Sequence, residues 1–460
     1  MARKPAAQRC VPSLGALVSL LLRGAAAQQP LTVREWDVLG PFPVGKTEVD
    51  ADPLQPFGGV EALKRGDRRA EFFSEVAAQG VVRWSKARSD AAGSVGVQFN
   101  AVNWNQHVQW MDTMMVLETQ TFLLGDLRVP ADGDYLLQAT GVHSFAVDGV
   151  LCHGDIYSGG ALRTPLALTA GTHTVSVRFR ARASGQFRFR ATPAQADAAL
   201  RLSAPEFSPD LSAGALFGEW LPLPVLNAGT DFIEELRVEV ASGGELELHP
   251  QYMQPSDAIA PGVLLAIPVR LALAPGAPAE RLAASTSDSC AAVELTVSGV
   301  LASSRQPVRS RPQRLSLRCR RAGQVFLFGF LDHDGSVAHA AAIPPRAKPT
   351  DELDGVGVML SFSGVGVAPQ QQAESHKYMP KKAKEFVFGY KNMWTLAPER
   401  NGAHNWEGVG ARTAVTALDA LTHLSAATAF PITSADRVHV TGHSRGGHGA
   451  LVFAVNRPDR

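Results

Sequence analysis

Hydrophobic and polar positions alternate with a period of two through much of the first 340 residues, a pattern typical of strands with one buried and one wet face. Turn residues recur at a spacing of roughly 8 to 12 positions between residues 30 and 200. Asp148-Gly149 is a strong hairpin-turn signal there. Apolar side chains at 175–179 and at 187–189 share one face and predict a second hairpin. We predict a β-sandwich or jelly-roll-like domain over residues 30–200.

A second β-rich region follows a proline-containing break, "SAPEFSPDLSAG", and covers residues 214–340. Its strands are legible as ELRVEV, ELELHP, VLLAIPVRLAL, AVELTVSGV, RLSLRCR and QVFLFGFL. This number of short alternating strands favours a second β-sandwich-like domain of immunoglobulin type.

The pattern changes over residues 345–460. VGVMLSFSG and EFVFGY are continuous apolar runs, typical of strands buried on both faces. Between EFVFGY and a third strand, RVHVTG, Val415, Leu418 and Leu421 lie on one face of a predicted helix. A further helix, GGHGALVFAVNRP, ends at Pro458, and SVAHAAAIPP predicts an antiparallel edge strand. Strands that alternate with helices predict a parallel α/β sheet.

The net charge and the N-terminal sequence limit the partners and the cellular location that we expect. The 460 residues carry 44 Lys and Arg against 43 Asp and Glu, a formal charge of +1. This balance argues against nucleic acid or an anionic membrane as the main partner. A basic start and the apolar run CVPSLGALVSLLL predict a signal peptide over residues 1–27, hence secretion. The alternative is an organelle transit peptide, favoured by the Arg and Ala content. No later stretch predicts a membrane span.

Three cysteines follow the predicted signal peptide: Cys152, Cys290 and Cys319. An oxidising compartment would permit one disulfide, and Cys290 with Cys319 is the nearer pair. Alternation in RLSLRCR places Cys319 on the buried face, whereas Cys290 falls out of step with its own strand. A disulfide and two packed thiols therefore remain alternatives.

The segment RVHVTGHSRGGHGAL carries the clearest chemical signal. It has the form G-x-S-x-G after a strand and before a helix, which places a nucleophilic serine, Ser444, on a tight turn. Gly442 and Gly446 would let strand and helix backbones come into near contact, and Gly447 would let the helix lie close to the sheet. The N-terminus of the helix would face developing negative charge. The alternative is a glycine-rich turn with an ordinary serine.

A second signal lies upstream in MLSFSGVGVAPQ, where a strand leads into a glycine-rich loop. The backbone N–H groups of Gly364 and Val365, together with that of Arg445, could bind a tetrahedral oxyanion. His404, Asn405 and Trp406 follow another predicted strand and could line a pocket. The alternative is a glycine-rich connection without function.

These motifs together resemble the α/β-hydrolase domain of prolyl-oligopeptidase-type serine peptidases and esterases. The resemblance covers roughly the last 110 residues. Taken with the alternation upstream, it predicts a fold of two β-sandwich-like domains followed by a truncated α/β-hydrolase domain with a parallel sheet. It also implies peptide or ester hydrolysis through an acyl-enzyme on Ser444. That family usually carries a β-propeller, which this sequence does not indicate.

The base and the acid of a triad are missing from the expected place. Chain order in such enzymes is Ser, then Asp or Glu, then His, and after Ser444 the sequence offers only His448 and Asp459. His448 belongs to the predicted helix and should not reach the serine hydroxyl. A fragment or prematurely ended gene would explain this absence, and so would a degenerate, non-catalytic hydrolase.

The alternative function is therefore a secreted binding protein for carbohydrate or peptide. Trp36, Trp84, Trp104 and Trp110 could form a sugar-stacking platform in the first β domain, although tryptophans at this density are more often core residues. The sequence has no dinucleotide fingerprint, P-loop or H-E-x-x-H motif, so we expect neither cofactor nor metal.

Overall fold

The computed structural model describes residues 30–44, 52–99, 102, 105, 109, 118–156, 162–181, 184–194, 199–240, 244–250, 258–347, 355–381, 384–399, 405–428 and 430–460. The predicted signal peptide, residues 1–27, lies outside these ranges. The chain divides into two compact units, with the division after Ala194.

The expected fold class is wrong. Strands make up 49% of the structure and helices only 13%, and most sheets are antiparallel. The sheet expected to be a parallel α/β-hydrolase sheet is mixed: two of its four strand pairings are antiparallel and two are parallel. Continuous apolar runs show that a strand is buried on both faces but not in which direction it runs.

The first unit is built from twelve strands within its described residues. They are β1 (Glu35–Val44), β2 (Phe72–Phe73), β3 (Val81–Val82), β4 (Ser85–Arg88), β5 (Ser94–Gln98), β6 (Glu118–Val129), β7 (Gly133–Thr140), β8 (Ser144–Val147), β9 (Val150–His153), β10 (Thr164–Leu168), β11 (Gly171–Ala181) and β12 (Ser184–Pro193). Two 3-10 turns, Gln55–Phe57 and Val60–Ala62, lie between β1 and β2.

Two antiparallel sheets form a sandwich in this unit. One has the order β4-β1-β6-β11-β8-β9 and the other the order β10-β7-β12-β5. Apolar side chains from both sheets make one core, in which the Trp36 and Phe187 rings meet edge to face at 5.5 Å. A second cluster around Leu39, Trp84 and Phe122 packs beneath the 3-10 turns. The alternating apolar positions of the sequence are thus the inward faces of the two sheets.

The second unit continues the strand numbering in chain order. Its strands are β13 (Leu200–Leu202), β14 (Leu211–Ser212), β15 (Ala215–Leu216), β16 (Trp220–Asn227), β17 (Ile233–Val240), β18 (Leu246–Pro250), β19 (Leu264–Leu273), β20 (Ala291–Leu301), β21 (Pro307–Arg309), β22 (Gln313–Leu317), β23 (Cys319–Arg320), β24 (Phe326–Leu331), β25 (Val337–Ile343), β26 (Val356–Phe362), β27 (Lys377–Tyr378), β28 (Val387–Phe388), β29 (Met393–Pro398) and β30 (Thr433–Gly442). Its helices are α1 (Ala279–Ala284), α2 (Pro369–Glu374), α3 (Val409–Ala426) and α4 (Arg445–Asn456).

The β-rich part of this unit has its own core. The sheet β13-β16-β19-β18 and a sheet of β17, β20, β21 and β22 contribute apolar side chains to one cluster. Strand β14 pairs with β15 and, in parallel, with β23. Cys290 and Cys319 form a disulfide, and Cys152 of the first unit is a buried free thiol. Of the two alternatives left by the sequence, the structure has the disulfide.

The mixed sheet has the order β24-β25-β29-β26-β30. Its two faces are covered by different elements: α3 and α4 pack with one apolar cluster that includes Leu360, Leu418 and Phe453, while α2 packs on a smaller cluster with Ala341 and Ala373. The parallel strands β26 and β30 are in register from Val358↔Val438 to Phe362↔Gly442. Their carboxyl ends therefore meet at one edge of the sheet.

Two strand assignments differ from the expectation. EFVFGY does not enter the sheet, because β28 pairs only with β27 in a small ribbon and the sheet takes up β29 instead. The strand expected at the edge, β25, lies inside the sheet between β24 and β29. The edge strand on this side is β24, whose apolar run the sequence placed in the second β domain. A short apolar run does not identify its partner strand.

Candidate functional site

The candidate site lies where β26 and β30 end. Ser444 lies two residues after the end of β30 and immediately before α4, with φ 55° and ψ −121°. A positive φ is uncommon for a residue other than glycine and stores backbone strain. The residue is exposed to solvent. The turn therefore presents a strained serine at the surface, at the N-terminus of a twelve-residue helix.

Close backbone contacts explain the glycines of this turn. A β-carbon added to Gly442 would lie 2.0 Å from the carbonyl oxygen of Gly446. One added to Gly446 would lie 2.0 Å from the carbonyl oxygen of Phe362, at the end of β26. No side chain fits at either place without moving the backbone. Gly447 differs, because its nearest neighbour would be the Gly442 oxygen at 3.6 Å, an ordinary contact.

The loop after β26 approaches the serine closely. A β-carbon built on Gly364 would lie 3.4 Å from the β-carbon of Ser444. The His443 amide donates to the Phe362 carbonyl at 3.2 Å, which ties the turn to the end of β26. Gly364 is buried, whereas Val365 is exposed. The structure thus brings together the two segments that the sequence nominated as nucleophile and oxyanion loop.

The expected oxyanion donors are backbone N–H groups at this meeting point. Within the described part of the chain, the amides of Arg445, Gly364 and Val365 have no hydrogen-bond acceptor. Arg445 is the first residue of α4, so its N–H is one of the free donors that every helix presents at its start. Such donors and the positive end of the helix favour an anion in front of the turn.

Trp406 has a different place from the one expected. Its side chain is fully buried, so it does not line an open pocket. The indole N–H donates to the carbonyl oxygen of Ser363 at 2.9 Å, and the ring packs edge to face on Phe362 at 4.9 Å. The peptide bond between Ser363 and Gly364 is trans, so its C=O and N–H point in opposite directions. Holding the carbonyl therefore fixes the direction of the Gly364 N–H.

This role of Trp406 was missed because the sequence places it in a loop among polar residues. The signal that could have found it is Gly449, one turn into α4, where an added β-carbon would lie 2.5 Å from the β-carbon of Trp406. Asn405 is exposed beside it, and the structure assigns it no contact at the turn. His404 lies outside the described residues.

Two histidines stand near the serine in sequence. His448 pairs through its Nε2 atom with Glu407 at 2.6 Å, and both side chains are about half exposed. His443 is exposed and adjoins Gly364. Among the described residues, no imidazole is hydrogen bonded to the Ser444 hydroxyl. The described residues therefore supply a strained serine and N–H donors without a positioned base.

A polar network supports β26 just before the loop. The buried Ser361 hydroxyl accepts from the side chain of Gln372 at 2.8 Å and contacts Nε2 of His376 at 2.8 Å. Nδ1 of His376 contacts the Tyr390 hydroxyl at 2.9 Å. Burial lowers the pKa of His376, which favours the neutral imidazole in this network. Because Ser361 is fully buried, its hydroxyl is closed to a substrate, and the network braces the strand.

The proposed tryptophan platform is wrong for the residues that can be placed. Trp36 and Trp84 are 0% and 4% exposed and belong to the cores of the first unit. Trp104 and Trp110 lie outside the described residues. Tryptophans are common in cores because they bury a large apolar area, and here that use excludes stacking on a sugar.

Metal-binding clusters and membrane-spanning helices are two further features that bear on function. In the ranges that the structure describes, no group of three or more His, Cys, Asp or Glu side chains is arranged to hold a metal ion. In the same ranges, no helix combines the length and apolar character that crossing a bilayer requires.

Comparisons with known proteins give only weak similarities. No protein-family model matches the chain, and no curated protein matches it. Among solved structures, an exo-chitosanase of Amycolatopsis orientalis is 12% identical over 51% of this chain and 29% of its own, with a TM-score of 0.22. A GH2 β-galacturonidase of Eisenbergiella tayi is 12% identical over 74% and 47%, with a TM-score of 0.25.

A prolyl endopeptidase is similar to the same degree, 12% identical over 74% of this chain and 46% of its own, with a TM-score of 0.21. This chain therefore spans less than half the length of each of these proteins. All three are hydrolases by name, of two unrelated chemistries. At TM-scores this low the similarity carries no argument about fold or function, which must come from the site itself.

Proposed function

We propose that the protein is a serine hydrolase of the prolyl-oligopeptidase type, which cleaves a peptide or ester bond through an acyl-enzyme on Ser444. The observation that carries the proposal is the backbone of Ser444, with φ 55° on a non-glycine residue at a strand-to-helix turn. Strain of this kind persists only where the surroundings enforce it, and it clusters at functional sites. Here the close contacts at Gly442 and Gly446 enforce it.

The chemistry follows from the donors around the serine. The Ser444 oxygen attacks the substrate carbonyl, forming a C–O bond while the hydroxyl proton passes to a base. The oxyanion that develops accepts hydrogen bonds from the N–H groups of Arg445, Gly364 and Val365. Collapse of the tetrahedral intermediate breaks the bond to the amine or alcohol, which leaves with the proton. Water then hydrolyses the acyl-enzyme and restores the serine.

The base is a separate part of the proposal. His448 is held by Glu407 on the exposed side of α4, so we do not assign it. We expect the proton acceptor to be a histidine outside the described residues. Without one, a serine hydroxyl is a weak nucleophile, and only the residual rate from oxyanion binding remains.

Secretion remains part of this proposal. The disulfide between Cys290 and Cys319 supports an oxidising compartment, as a signal peptide over residues 1–27 would require.

A fluorophosphonate probe tests the proposal on the full product of the gene. The reagent phosphonylates only activated serines, so we expect stoichiometric modification of Ser444, located by peptide mass spectrometry. Ser444→Ala should abolish the modification. Ser336→Ala, which removes an exposed serine from the β24–β25 turn, should leave it unchanged. An unmodified Ser444, under conditions that label a known serine hydrolase fully, would overturn the proposal.

The competing function is a non-catalytic binding protein with the same turn. It is favoured by one observation, the lack of a described imidazole at the serine hydroxyl. The same experiment separates the two, because a binding protein would leave Ser444 unmodified at every probe concentration.

A further inference from the structure

The outer face of the sheet β10-β7-β12-β5 in the first unit contains a polar depression of about 270 Å³. Six side chains on its walls are polar or charged: Ser94, Gln138, Thr140, Gln186, Arg188 and Arg190. Phe187 contributes main chain only, since its ring lies in the core. None of these residues belongs to the candidate site around Ser444.

Strand alternation and register create this depression. On β12, Phe187 and Phe189 face the core, so Gln186, Arg188 and Arg190 all face outward. Arg188 lies opposite Ser94 on β5, and Gln186 lies opposite Gly96. A β-carbon built on Gly96 would meet no atom within 4 Å, so this position leaves open space between its longer neighbours.

On the other side, Arg188 lies opposite Thr140 on β7, and Arg190 lies opposite Gln138. Two guanidinium groups thus stand on one strand face, two residues apart, with neutral amides and hydroxyls around them. The arrangement depends on pairing in the interior of the sheet and not on a loop.

The two arginines are anchored but not neutralised. Nε of Arg188 donates to the Ser94 hydroxyl at 3.0 Å, and Nε of Arg190 donates to the Ala92 carbonyl at 2.9 Å. In the described part of the chain, neither forms an ion pair with a carboxylate. The neighbouring acid, Asp90, uses its carboxylate to accept from the backbone amides of Ala92 and Ser94. Among the described residues, neither guanidinium is therefore directly paired with a carboxylate.

The chemistry of the walls indicates the ligand. A guanidinium with its Nε engaged still presents further N–H groups, which match the two oxygens of a carboxylate. The amide of Gln186 and the hydroxyl of Thr140 can both donate and accept, as sugar hydroxyls also do. A sulfate ion can only accept hydrogen bonds, so it would leave the acceptor oxygens of these groups without partners.

We propose that this depression binds a uronic acid unit of an acidic polysaccharide. The sugar carboxylate lies between Arg188 and Arg190, and the ring hydroxyls exchange hydrogen bonds with Gln186, Thr140 and Gln138. The proposal does not depend on the chemistry of Ser444, and the two can fail separately.

Calorimetric titration with tri-galacturonate tests the proposal. We expect saturable binding that weakens as salt is added, because an ion pair open to water is screened. A neutral galactose trisaccharide of the same length should bind at least tenfold more weakly, since it lacks the charge-assisted hydrogen bonds. Ser444→Ala should bind tri-galacturonate as the unchanged protein does.

A matched pair of variants locates the site. The double variant Arg188→Gln/Arg190→Gln should lose roughly tenfold or more in affinity, while its unfolding temperature stays that of the parent. Arg128→Gln removes the same kind of charge from the exposed face of β6, in the other sheet, and should change the affinity less than about twofold. Sulfate at equal concentration serves as the anion control.

Three results would overturn the proposal. One is equal affinity for the acidic and the neutral trisaccharide, which would remove the role of the carboxylate. Another is undiminished binding in the double variant, which would place the site elsewhere. The last is competition by sulfate at the same concentration as tri-galacturonate, which would make the depression a general anion site.

Discussion

The two ends of the mixed sheet use the same residue in the same way, with different consequences. Trp394 and Trp406 are both fully buried, and each indole N–H donates to a backbone carbonyl at 2.9 Å. Trp394, near the start of β29, holds Pro431 in the connection that leads into β30. Trp406 holds Ser363, in the loop that adjoins Ser444. The bond of Trp394 only holds a connection in the packed interior. The bond of Trp406 also fixes the direction of the Gly364 N–H beside Ser444.

The surroundings of the two carbonyls explain the difference. Near Pro431, the connection is secured by hydroxyl hydrogen bonds that link Thr433 to Thr422 and Ser425. Near Ser363, the backbone itself is compressed against the turn, with contacts that only glycine permits at Gly442 and Gly446. The strained Ser444 and these closest backbone contacts thus lie at the end where the parallel strands point their carboxyl termini, the usual location of ligand sites in sheets with parallel strands.

The largest loss of stability is expected from a substitution of Gly446, where the turn before α4 packs on the end of β26. Gly446→Ala would place a methyl group 2.0 Å from the Phe362 carbonyl oxygen, so we expect a loss of about 3 kcal/mol in the free energy of unfolding, and an opened turn. Gly447→Ala is the matched control one residue away. Its methyl group meets nothing closer than 3.6 Å, and alanine favours the helix, so the change should stay within about 1 kcal/mol.

Hydrogen exchange of peptides from 356–362 and 445–456, measured as urea is raised, reports on this end of the sheet. It is preferable to a global melting curve because a chain with two units need not unfold in a single step. Equal protection in the two variants would contradict the close packing described for Gly446.

Substitution of Trp406 and Trp394 tests the difference between the two ends of the sheet, with a smaller expected loss of stability. Trp406→Phe and Trp394→Phe each remove one buried N–H donor from a carbonyl and should each cost about 1 to 2 kcal/mol in stability. Only Trp406→Phe should also slow the reaction of the fluorophosphonate probe with Ser444, by roughly tenfold, because the Gly364 N–H loses its fixed direction.

The ratio of the two labelling rates, measured at equal fractions of folded protein, is the decisive quantity. If both variants slow the probe alike, the effect of Trp406 is one of stability alone. If the unchanged protein is not labelled, the proposed function itself has failed, and the ratio is not needed to decide it.

Much of the local structure could be predicted from alternation and turn chemistry. The hairpin turn at Asp148-Gly149 is confirmed: β8 and β9 pair there, with both residues at positive φ. The helix with Leu418 and Leu421 on its buried face is also confirmed. Both signals act between residues close in sequence, where propensity and periodicity are direct evidence of structure.

Other predictions failed because they depended on which strands pair with each other. The apolar positions of β11 and β12 do face one core, but the two strands do not form the expected hairpin, because they belong to opposite sheets of the sandwich. Period-two alternation fixes which face is buried and leaves the partner open. The mixed sheet was predicted to be parallel for the same reason, because the direction and the order of strands in a sheet depend on which strands pair.

The candidate site and the polar depression also contain features that a local motif indicates and features that it does not. The turn around Ser444 follows a local motif, and its strained backbone is as the motif indicates. The support from Trp406 and the polar depression between Arg188 and Arg190 depend on pairs that are distant in sequence or lie on neighbouring strands. Those features became visible only when the pairing was known.

The smallest expected effect concerns the strain at Ser444. Here we expect glycine to be more stabilising than alanine, the reverse of the usual order. At ordinary φ values, glycine destabilises a chain relative to alanine by roughly 0.5 to 1 kcal/mol. At φ 55° and ψ −121° glycine is unstrained and alanine is not, so Ser444→Gly should be more stable than Ser444→Ala by about 1 kcal/mol. Both variants lack the hydroxyl, so its loss cancels in the comparison. Urea dependence of hydrogen exchange in the peptide 445–456 measures the difference. A Ser444→Ala variant as stable as Ser444→Gly would mean that the turn relaxes without cost, and the strain that distinguishes this end of the sheet would be absent.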